Sequence, residues 1–458
     1  MSAPILVWLR RDLRLADNPA LTRAAAQGPV ILAFCRDDTG ERSLGQASRW
    51  WLHQALARLG PVTLARGRAE SEIPRLAAAC GARAVYWNRS ADPDLRAAED
   101  RVEQALRLEC RIFPGDTLFP PGSVRTRQGG QFQVFTAFWR AALALPAPDQ
   151  PLPVPPGLTV QSGPGLSPEA LELMPKRPWW HGLAEQWQPG EAQAADLLKR
   201  FLAGPVARYH HDRDRPDRPA TSRLSPHLAF GEISARQVWH AAQSAPPGDG
   251  TETFLKELGW REFSRHLLAR HPDLADQPLR PEFRAFPWQD NPERLRRWQR
   301  GQTGYPIIDA GMRQLWRTGW MHNRVRMIAA SFLIKDLLIH WRAGEQWFWD
   351  TLVDADSANN AASWQWVAGC GADAAPFFRI FNPQTQGEKF DPDGTYVRSW
   401  VPELAHLPAS LIHQPWKAGR IAGYPPPVID HAQARLQALA AFKGLRQPMD
   451  GQKQGELL

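Results

Sequence analysis

The chain has 458 residues, 43% of them hydrophobic, with 55 Lys and Arg against 47 Asp and Glu, for a formal net charge of +8. That length allows two or three domains around a large core, and no apolar run is long enough to span a bilayer. The four Cys (35, 80, 110, 370) stand alone without a CxxC pair, and MSAPILVWLRRDLRL lacks the zones of a signal peptide; together these exclude a zinc ribbon and a disulfide framework and lead to the expectation of a reduced, cytoplasmic protein.

Short apolar runs at 4–9 (PILVWL), 29–35 (PVILAFC), 61–65 (PVTLA), 83–87 (RAVYW) and 110–113 (CRIF) alternate with helix-like stretches near 17–27, 46–59, 70–80 and 92–108. Alternation of this length predicts an α/β amino-terminal domain, residues 1–140, built on a doubly wound parallel sheet. No GxGxxG or GxxxxGK(S/T) follows a strand, so a dinucleotide or P-loop site is unsupported, although a crevice at the strand ends can hold a ligand. Residues 141–190 are Pro-rich (LALPAPDQPLPVPPG) and read as an interdomain linker on the surface. Beyond 190 the strand signal stops. Helices are predicted over 191–203, 232–243, 251–270, 292–300, 306–318, 320–342 and 345–352, which makes 191–458 an all-α domain.

Three places in the helical half carry chemistry. TSRLSPHLAFGEIS (221–234) offers Thr221, Ser222 and Ser225 around an Arg before a Pro-opened helix; hydroxyls and free N–H groups at a helix start bind phosphate, but Ser/Thr caps are common. In TETFLKELGWREFSRHLLARH, Glu257, Trp260, Arg261 and Ser264 share a face by their three- and four-residue spacing. The plain alternative there is a surface Glu–Arg pair worth little, against which Phe254, Leu258 and Trp260 make the face partly apolar. The stretch Trp316–Phe381 holds Trp at 316, 320, 341, 347, 349, 364 and 366, with Trp288 and Trp298 just upstream. Indoles are hard to bury completely, and these stand among Asn323, Arg324, Arg326, Asp354, Asp356 and Asn360. Composition alone favours a Trp-rich core slightly. Asn360 and Trp364 lie four apart on one helical face, with both Asp residues where that helix begins. An Arg326–Asp pair there is a buried charge cluster, which is costly unless fully bonded or serving a ligand. The Arg excess fits either an Arg-rich composition or a phosphate-binding surface.

Taken in order, WLRRDLRLADNPAL (8–21), TSRLSPHLAFGEIS, ELGWREF (257–263), TGYPIIDAGMRQL (303–315), TGWMHNRVRM (318–327), DADSANNAASWQW (354–366) and DAAPFFRIFNPQTQGEKFD (373–391) closely resemble the motifs of the DNA photolyase/cryptochrome family. The resemblance covers nearly the whole chain and is strongest to photolyases specific for cyclobutane pyrimidine dimers. It implies light-driven dimer repair by an electron from reduced FAD, held folded in the helical domain. Tyr209, Thr221, Ser222, Leu224 and Ser225 are implied to hold the phosphate and ribose parts. Arg261, Asn323, Arg326, Asp354, Asp356 and Asn360 are implied to surround the flavin, with Asn360 at N5, where plant cryptochromes carry Asp and animal ones Cys. Glu257, Trp260, Asn323, Met327 and Trp366 are implied to line the dimer pocket, and Arg213, Arg324 and Gln386 to contact DNA. Trp364, Trp341 and Trp288 match the family's electron-transfer chain; Trp341 is expected to close the helix 320–342 and Trp288 to sit in a loop near solvent. Phe254 departs from relatives that carry Trp at the flavin.

Two other readings stand beside repair: a cryptochrome-like photoreceptor without repair activity, and a basic nucleic-acid-binding protein without catalysis. Glu257, Met327, Asn360 and Gln386 favour repair, as does the short polar ending KGLRQPMDGQKQGELL, which leaves little room for a signalling extension. Relatives also bind an antenna chromophore near the α/β domain; a folate is expected, with Trp50, Trp51, Trp87, Asn88 and Asp92 as undiagnostic candidates. The expected partner is DNA containing pyrimidine dimers, and the expected state is a monomer without a membrane anchor or a metal.

Overall fold

The computed structural model describes residues 3–445 apart from 41, 116 and 375–377. The carboxy-terminal 446–458, and the AlaProPhe centre of the last motif, therefore lie outside the described residues. Five parallel strands, β1 (Ile5–Leu9), β2 (Val30–Arg36), β3 (Val62–Arg66), β4 (Ala84–Asn88) and β5 (Glu109–Phe113), form one sheet in the order β3-β2-β1-β4-β5. Helices α1 (Pro19–Ala25), α2 (Gln46–Arg58), α3 (Ala69–Ala79) and α4 (Pro93–Ala105) alternate with them. The central strand β1 shows why the sheet is covered on both faces. Ile5, Val7 and Leu9 pack with α1, α2 and, from the helical half, Phe230, Trp320 and Val353. The alternate residues Leu6 and Trp8 pack with Ile73, Leu76 and Ala77 of α3 and Val102 of α4. Period-two alternation sends neighbours to opposite faces, and with both faces buried the strand reads as a continuous apolar run.

The Pro-rich stretch is only partly a surface linker. It starts inside α5 (Phe135–Leu143), Val160 bridges Val30 of β2, and Gly163 donates its N–H to Thr63 Oγ1 at 3.0 Å. Leu171 and Leu173 are buried in the core of the sheet, because a Pro-rich chain without its own ladder still buries its leucines against the sheet edge.

The helical half comprises α6 (His181–Gln186), α7 (Glu191–Ala203), α8 (Tyr209–Asp212), α9 (Ser225–Phe230), α10 (Ala235–Gln243), α11 (Asp249–Arg270), α12 (Pro292–Gln299), α13 (Pro306–Thr318), α14 (Asn323–Ser331), α15 (Trp341–Thr351), α16 (Ser357–Ala368), α17 (Pro383–Phe390), α18 (Thr395–Trp400), α19 (Ala409–Ile412) and α20 (His431–Gly444). The single helix expected over 320–342 is two. After α14 the chain makes a π-helical stretch, Phe332–Asp336, then turns with Leu338 at φ 53°. Trp341 therefore opens α15 instead of closing the preceding helix. The break is held from outside: Gln289 N–H donates to Leu338 O at 2.8 Å, and His340 caps α15 by accepting from Arg342 N–H at 3.1 Å.

Candidate active site

A cavity of about 350 Å³ opens among α8, α9, α11, α14, α15 and α16. All the residues implied above to hold the cofactor line it: Tyr209, Thr221, Ser222, Leu224, Ser225, Arg261, Asn323, Arg326, Asp354, Asp356 and Asn360. Glu257, Trp260, Met327 and Trp364 share the same wall. Residues as far as 155 positions apart in sequence are thus brought together by the packing of α16 on both α11 and α14.

The α9 end is built for an anion. Among the described residues no hydrogen bond engages the hydroxyls of Thr221 or Ser225, and Ser222 Oγ only loosely accepts from Leu224 N–H at 3.4 Å. Between them Arg223 adopts a left-handed backbone, φ 57°, with its guanidinium 4.4 Å from the rings of both Trp187 and Trp320. Burial pushes its pKa down to about 10 against the opposing pull of Asp354. The motif had drawn attention to the hydroxyls; Arg223 was visible among them only as the Arg they surround. Unspent hydroxyls beside an Arg clamped in place suit a diphosphate.

At the other end, Arg326 donates Nη2–H to both carboxylate oxygens of Asp354 (2.8 and 3.1 Å) and its Nε–H to Met321 O at 2.7 Å. Asp356 caps α16 by accepting from Asn359 N–H at 2.8 Å and pairs with buried Arg265 at 3.1 Å. A carboxylate at a helix start is well placed. Asn360 is buried, and its Nδ2 donates to Glu345 Oε1 at 2.6 Å and to Glu345 O at 3.1 Å. Glu345 in turn accepts both ends of the Arg42 guanidinium, at 2.8 and 2.7 Å. Neither Glu345 nor Arg42 stood out in the sequence. With both amide hydrogens held by Glu345, the Asn360 carbonyl is the end left to face the cavity. The donors and acceptors present, a guanidinium–carboxylate pair, a fixed amide and hydroxyls beside Arg223, fit a flavin dinucleotide.

Arg261 is buried and pairs with Glu262 at 3.0 Å, and Glu262 also accepts from Leu118 N–H at 2.7 Å. Glu257 is half-exposed and forms an ion pair with Arg213, which lies over the Tyr209 ring at 5.5 Å. Tyr209 is buried, and burial together with Glu257 pushes its hydroxyl pKa upward. Arg213, Arg324 and Gln386 lie outside the cavity wall. Arg324 pairs with Asp214 at 2.7 Å and stacks over Phe390 at 4.5 Å, tying α14 to α17, the helix that carries Gln386. Trp366 is likewise off the wall; it is half-buried, with its Nε1–H on Asp373 O at 3.0 Å.

Trp364 packs on Phe348 at 5.0 Å and Trp298 at 6.2 Å, and a Cβ on Gly344 would come within 2.1 Å of it. Gly344 sits one turn after Trp341, which is buried. His340 joins Trp341 (5.6 Å) to Trp288 (4.9 Å), and Trp288 is only partly buried. The three indoles thus lie in sequence from cavity wall to α15 to loop, with an imidazole between the last two.

The antenna candidates fare differently. Trp50, Trp51 and Trp87 are fully buried, Asn88 donates to Asp12 at 2.7 Å and to Asn18 at 2.8 Å, and Asp92 caps α4. These side chains are spent on the sheet's own packing and loops, so they offer no open platform for a chromophore.

Residues 5–156 match the DNA photolyase domain, and residues 254–444 match the FAD binding domain of DNA photolyase. A deoxyribodipyrimidine photo-lyase of Agrobacterium fabrum is 47% identical over 97% of this chain and 98% of its own length. The chain belongs to the DNA photolyase family. Its FAD-binding domain is the helical half, around the cavity just described. The family match extends to cryptochrome-1 of Arabidopsis thaliana, 38% identical over 94% of this chain and 69% of the relative. A bacterial class III photolyase from Agrobacterium tumefaciens has the same fold, with a TM-score of 0.93, 47% identity and coverage of 97% of this chain and 98% of that one. An archaeal photolyase from Sulfolobus tokodaii, described with two FAD molecules, superposes with a TM-score of 0.82 at 28% identity over 96% of this chain and all of that one. Among the described residues no helix is long and apolar enough to cross a membrane.

Proposed function

We propose that the chain repairs cyclobutane pyrimidine dimers in DNA under blue light, as a cytoplasmic monomer divided into 1–140, 141–190 and 191–458. The observation that carries the reading is a single cavity wall on which the flavin-type donor set and Glu257, Trp260, Asn323 and Met327 meet. Arg326, Asp354 and Asn360 at one end and Thr221, Ser222 and Ser225 at the other would hold FAD, which would supply, when reduced and excited, the single electron needed to split the cyclobutane ring and take it back afterwards. The protein's part is placement and electrostatics. Arg326 and Asp354 fix each other at the flavin end; Thr221, Ser222, Ser225 and Arg223 hold phosphate; Asn360, held by Glu345, turns a carbonyl to the cavity.

Glu257 is poised to bond the dimer where negative charge develops, after giving up Arg213 or sharing it with the DNA. Trp260 supplies a flat wall for flipped bases, whose extrusion costs a few kcal/mol and least for a lesion. The basic surface grips phosphate. A photoreceptor without repair is the second reading, supported by the likeness to a plant cryptochrome; Asn360, where plant cryptochromes carry Asp, and Glu257 favour repair. We also propose a second, light-harvesting chromophore of the folate class.

The test is repair of an oligonucleotide bearing one dimer by the reduced holoprotein in blue light, beside a (6-4) photoproduct control. Glu257→Ala is expected to keep FAD and lose repair yield by roughly 1–3 kcal/mol of transition-state stabilisation. Unchanged yield, or repair of the control lesion alone, would overturn the reading. The absorption spectrum of the purified protein reports the chromophores: flavin bands with a separate near-ultraviolet band are expected, and flavin bands alone would remove the folate.

A further inference from the structure

The π-helical stretch after α14 ends on two adjacent buried charges, Lys335 and Asp336. They turn to different neighbours. Asp336 pairs with His431, the first residue of α20. Lys335 is 3% exposed, and among the described residues no carboxylate comes within ion-pair distance of it. Its Nζ donates to the Arg379 backbone carbonyl and lies 4.5 Å from the centre of the Phe378 ring. An ammonium carries three donors, and one carbonyl with a ring face is thin compensation for burying it. Burial pushes its pKa down to about 7; Asp336 opposes this and Arg379 adds to it.

Lys335 lines a cavity of about 20 Å³, enough for a single occupant the size of a water molecule or a small ion. The charged side chains on its wall are Lys335, Arg280 and Arg379, all cations. The rest of the wall is apolar but for the Trp366 indole N–H, which is spent on Asp373 O. Arg280 is tied to Gly369 O at 3.1 Å and to Glu282 at 3.0 Å, and Glu282 is off the wall. Cys370, the remaining titratable group beside Lys335, is held neutral by burial, its thiol pKa pushed up to about 12. Among the described residues, then, positive charge surrounds the cavity and no acid lines it.

We infer that this cavity binds one monovalent, atom-sized anion, a halide such as chloride, with Lys335 as its counter-ion. The volume decides the class: a phosphate or a carboxylate has no room, which separates this site from the diphosphate end of the large cavity. The charge decides against water alone, because water bonds an ammonium but neutralises none of the three cations. A halide there joins three pieces of chain: the π-helical stretch through Lys335, the segment leading into α17 through Arg379, and the end of α16 through Arg280 on Gly369. It also favours the protonated lysine, so halide binding takes up a proton near neutral pH. If only the protonated form binds, apparent affinity falls about tenfold between about pH 6 and pH 8. The guanidiniums of Arg280 and Arg379 do not titrate in that range. Asp336, pushed up to about 6 beside His431, does, and it remains in Lys335→Met, which controls for it.

The experiment compares urea unfolding of the holoprotein in sodium bromide and sodium gluconate at equal ionic strength, at about pH 6 and about pH 8, for the wild type, Lys335→Met and Arg280→Gln. Bromide is expected to raise the wild-type midpoint at the lower pH, with a smaller gain at the higher. Calorimetric titration with bromide in two buffers of different ionisation enthalpy is expected to show proton uptake. In crystals grown with bromide, anomalous scattering is expected to place the ion beside Lys335 Nζ. Lys335→Met keeps most of the stem's volume and removes the charge, so it is expected to keep its flavin and lose the bromide response. Arg280→Gln keeps a donor for Gly369 O and should respond several-fold more weakly. If Lys335→Met does not fold, Arg280→Gln and the wild-type crystal carry the test. Equal midpoints in the two salts, the same bromide gain in Lys335→Met, a gain that ignores pH, or a water molecule alone in the cavity would each overturn the inference.

Discussion

Replacing Arg42 with Ala strands the Glu345 carboxylate. In the native structure that carboxylate is almost fully buried, with 2% of its side chain exposed, and it accepts two guanidinium bonds and the Asn360 amide. Removing one partner of a buried pair costs about 3–5 kcal/mol, because the remaining charge is left without compensation. Arg42 keeps 24% of its side chain exposed, so water can enter from its side once it is truncated, and about 2–3 kcal/mol is the expected loss. Glu345→Gln is gentler: the freed Arg42 still reaches solvent and lies over the Trp349 ring at 4.0 Å, and the loss of a charge-assisted bond costs about 1 kcal/mol. The double variant removes the stranded charge altogether. It is therefore expected to be more stable than Arg42→Ala alone, although it carries one more substitution. Both of these lack the stacking on Trp349, so that term cancels between them. Urea midpoints, followed by circular dichroism and flavin release at a fixed flavin concentration, give the comparison. If Arg42→Ala costs nothing, or if adding Glu345→Gln does not recover stability, Glu345 is not an ion held by Arg42 and the account of how Asn360 is oriented fails.

Trp364→Phe is expected to fold and bind FAD, to photoreduce oxidised flavin far more slowly with an external reductant, and still to repair dimers once reduced chemically; a normal photoreduction rate would send the electron path elsewhere. Gly344→Ala drives a methyl group into the Trp364 ring and should cost about 1–3 kcal/mol by overpacking, read as a lowered urea midpoint. His322 and His340 are both pushed down to about 4 by burial, and each caps a helix through an unprotonated Nδ1. The unfolded chain then binds more protons than the folded one between about pH 4 and 6.5, so stability should fall as pH drops through that range, with a slope approaching about 1.4 kcal/mol per pH unit for His322. Asp336, pushed up to about 6 by burial, works in the opposite sense below pH 6, so the cap is read from the difference between the wild type and His322→Asn; the same pH dependence in both would contradict it. Binding of dimer-bearing DNA should weaken steeply between 50 and 200 mM salt, measured by fluorescence titration; a flat response would argue against a phosphate-gripping surface.

The sheet was legible because its strands are short apolar runs bounded by helix-like stretches, and each predicted run meets an observed strand to within one residue at its start. The cavity was legible because its residues fall in compact motifs, three or four apart on a helix face. What escaped was whatever depends on a distant partner. The break before Trp341 has no Gly or Pro to announce it: a π-turn, a left-handed Leu338 and a capping His make it, stabilised by Gln289 and Leu333. Histidine is an uncommon cap, so the usual Ser, Thr, Asp or Asn signal was missing. Arg42 meets Glu345 across 303 positions, and Asp373 meets Gln133 across a similar kind of gap; no local pattern records such pairs. The antenna candidates were Trp, Asn and Asp residues that the sheet domain and its loops use for themselves.

The seam between the halves is made of many polar fingers reaching across it. Arg42 holds Glu345, Gln46 holds Asp350 with both backbone and side-chain N–H groups, the Trp51 indole holds Glu232, and Arg14 holds Gly231 O. Going the other way, Arg236 pairs with buried Asp17. A helical fragment cut out at 191 would keep Glu232, Asp350 and Glu345 but lose the Trp51, Gln46 and Arg42 donors that bond them, and the last of those carboxylates, stripped of its counter-charge, touches the amide at the heart of the cavity. The helical half expressed alone is therefore expected to hold its flavin end less firmly than the whole chain does. A chimera with the sheet domain of a distant relative would have to bring its own Arg at position 42, and the success of such grafts should follow that residue more closely than overall identity.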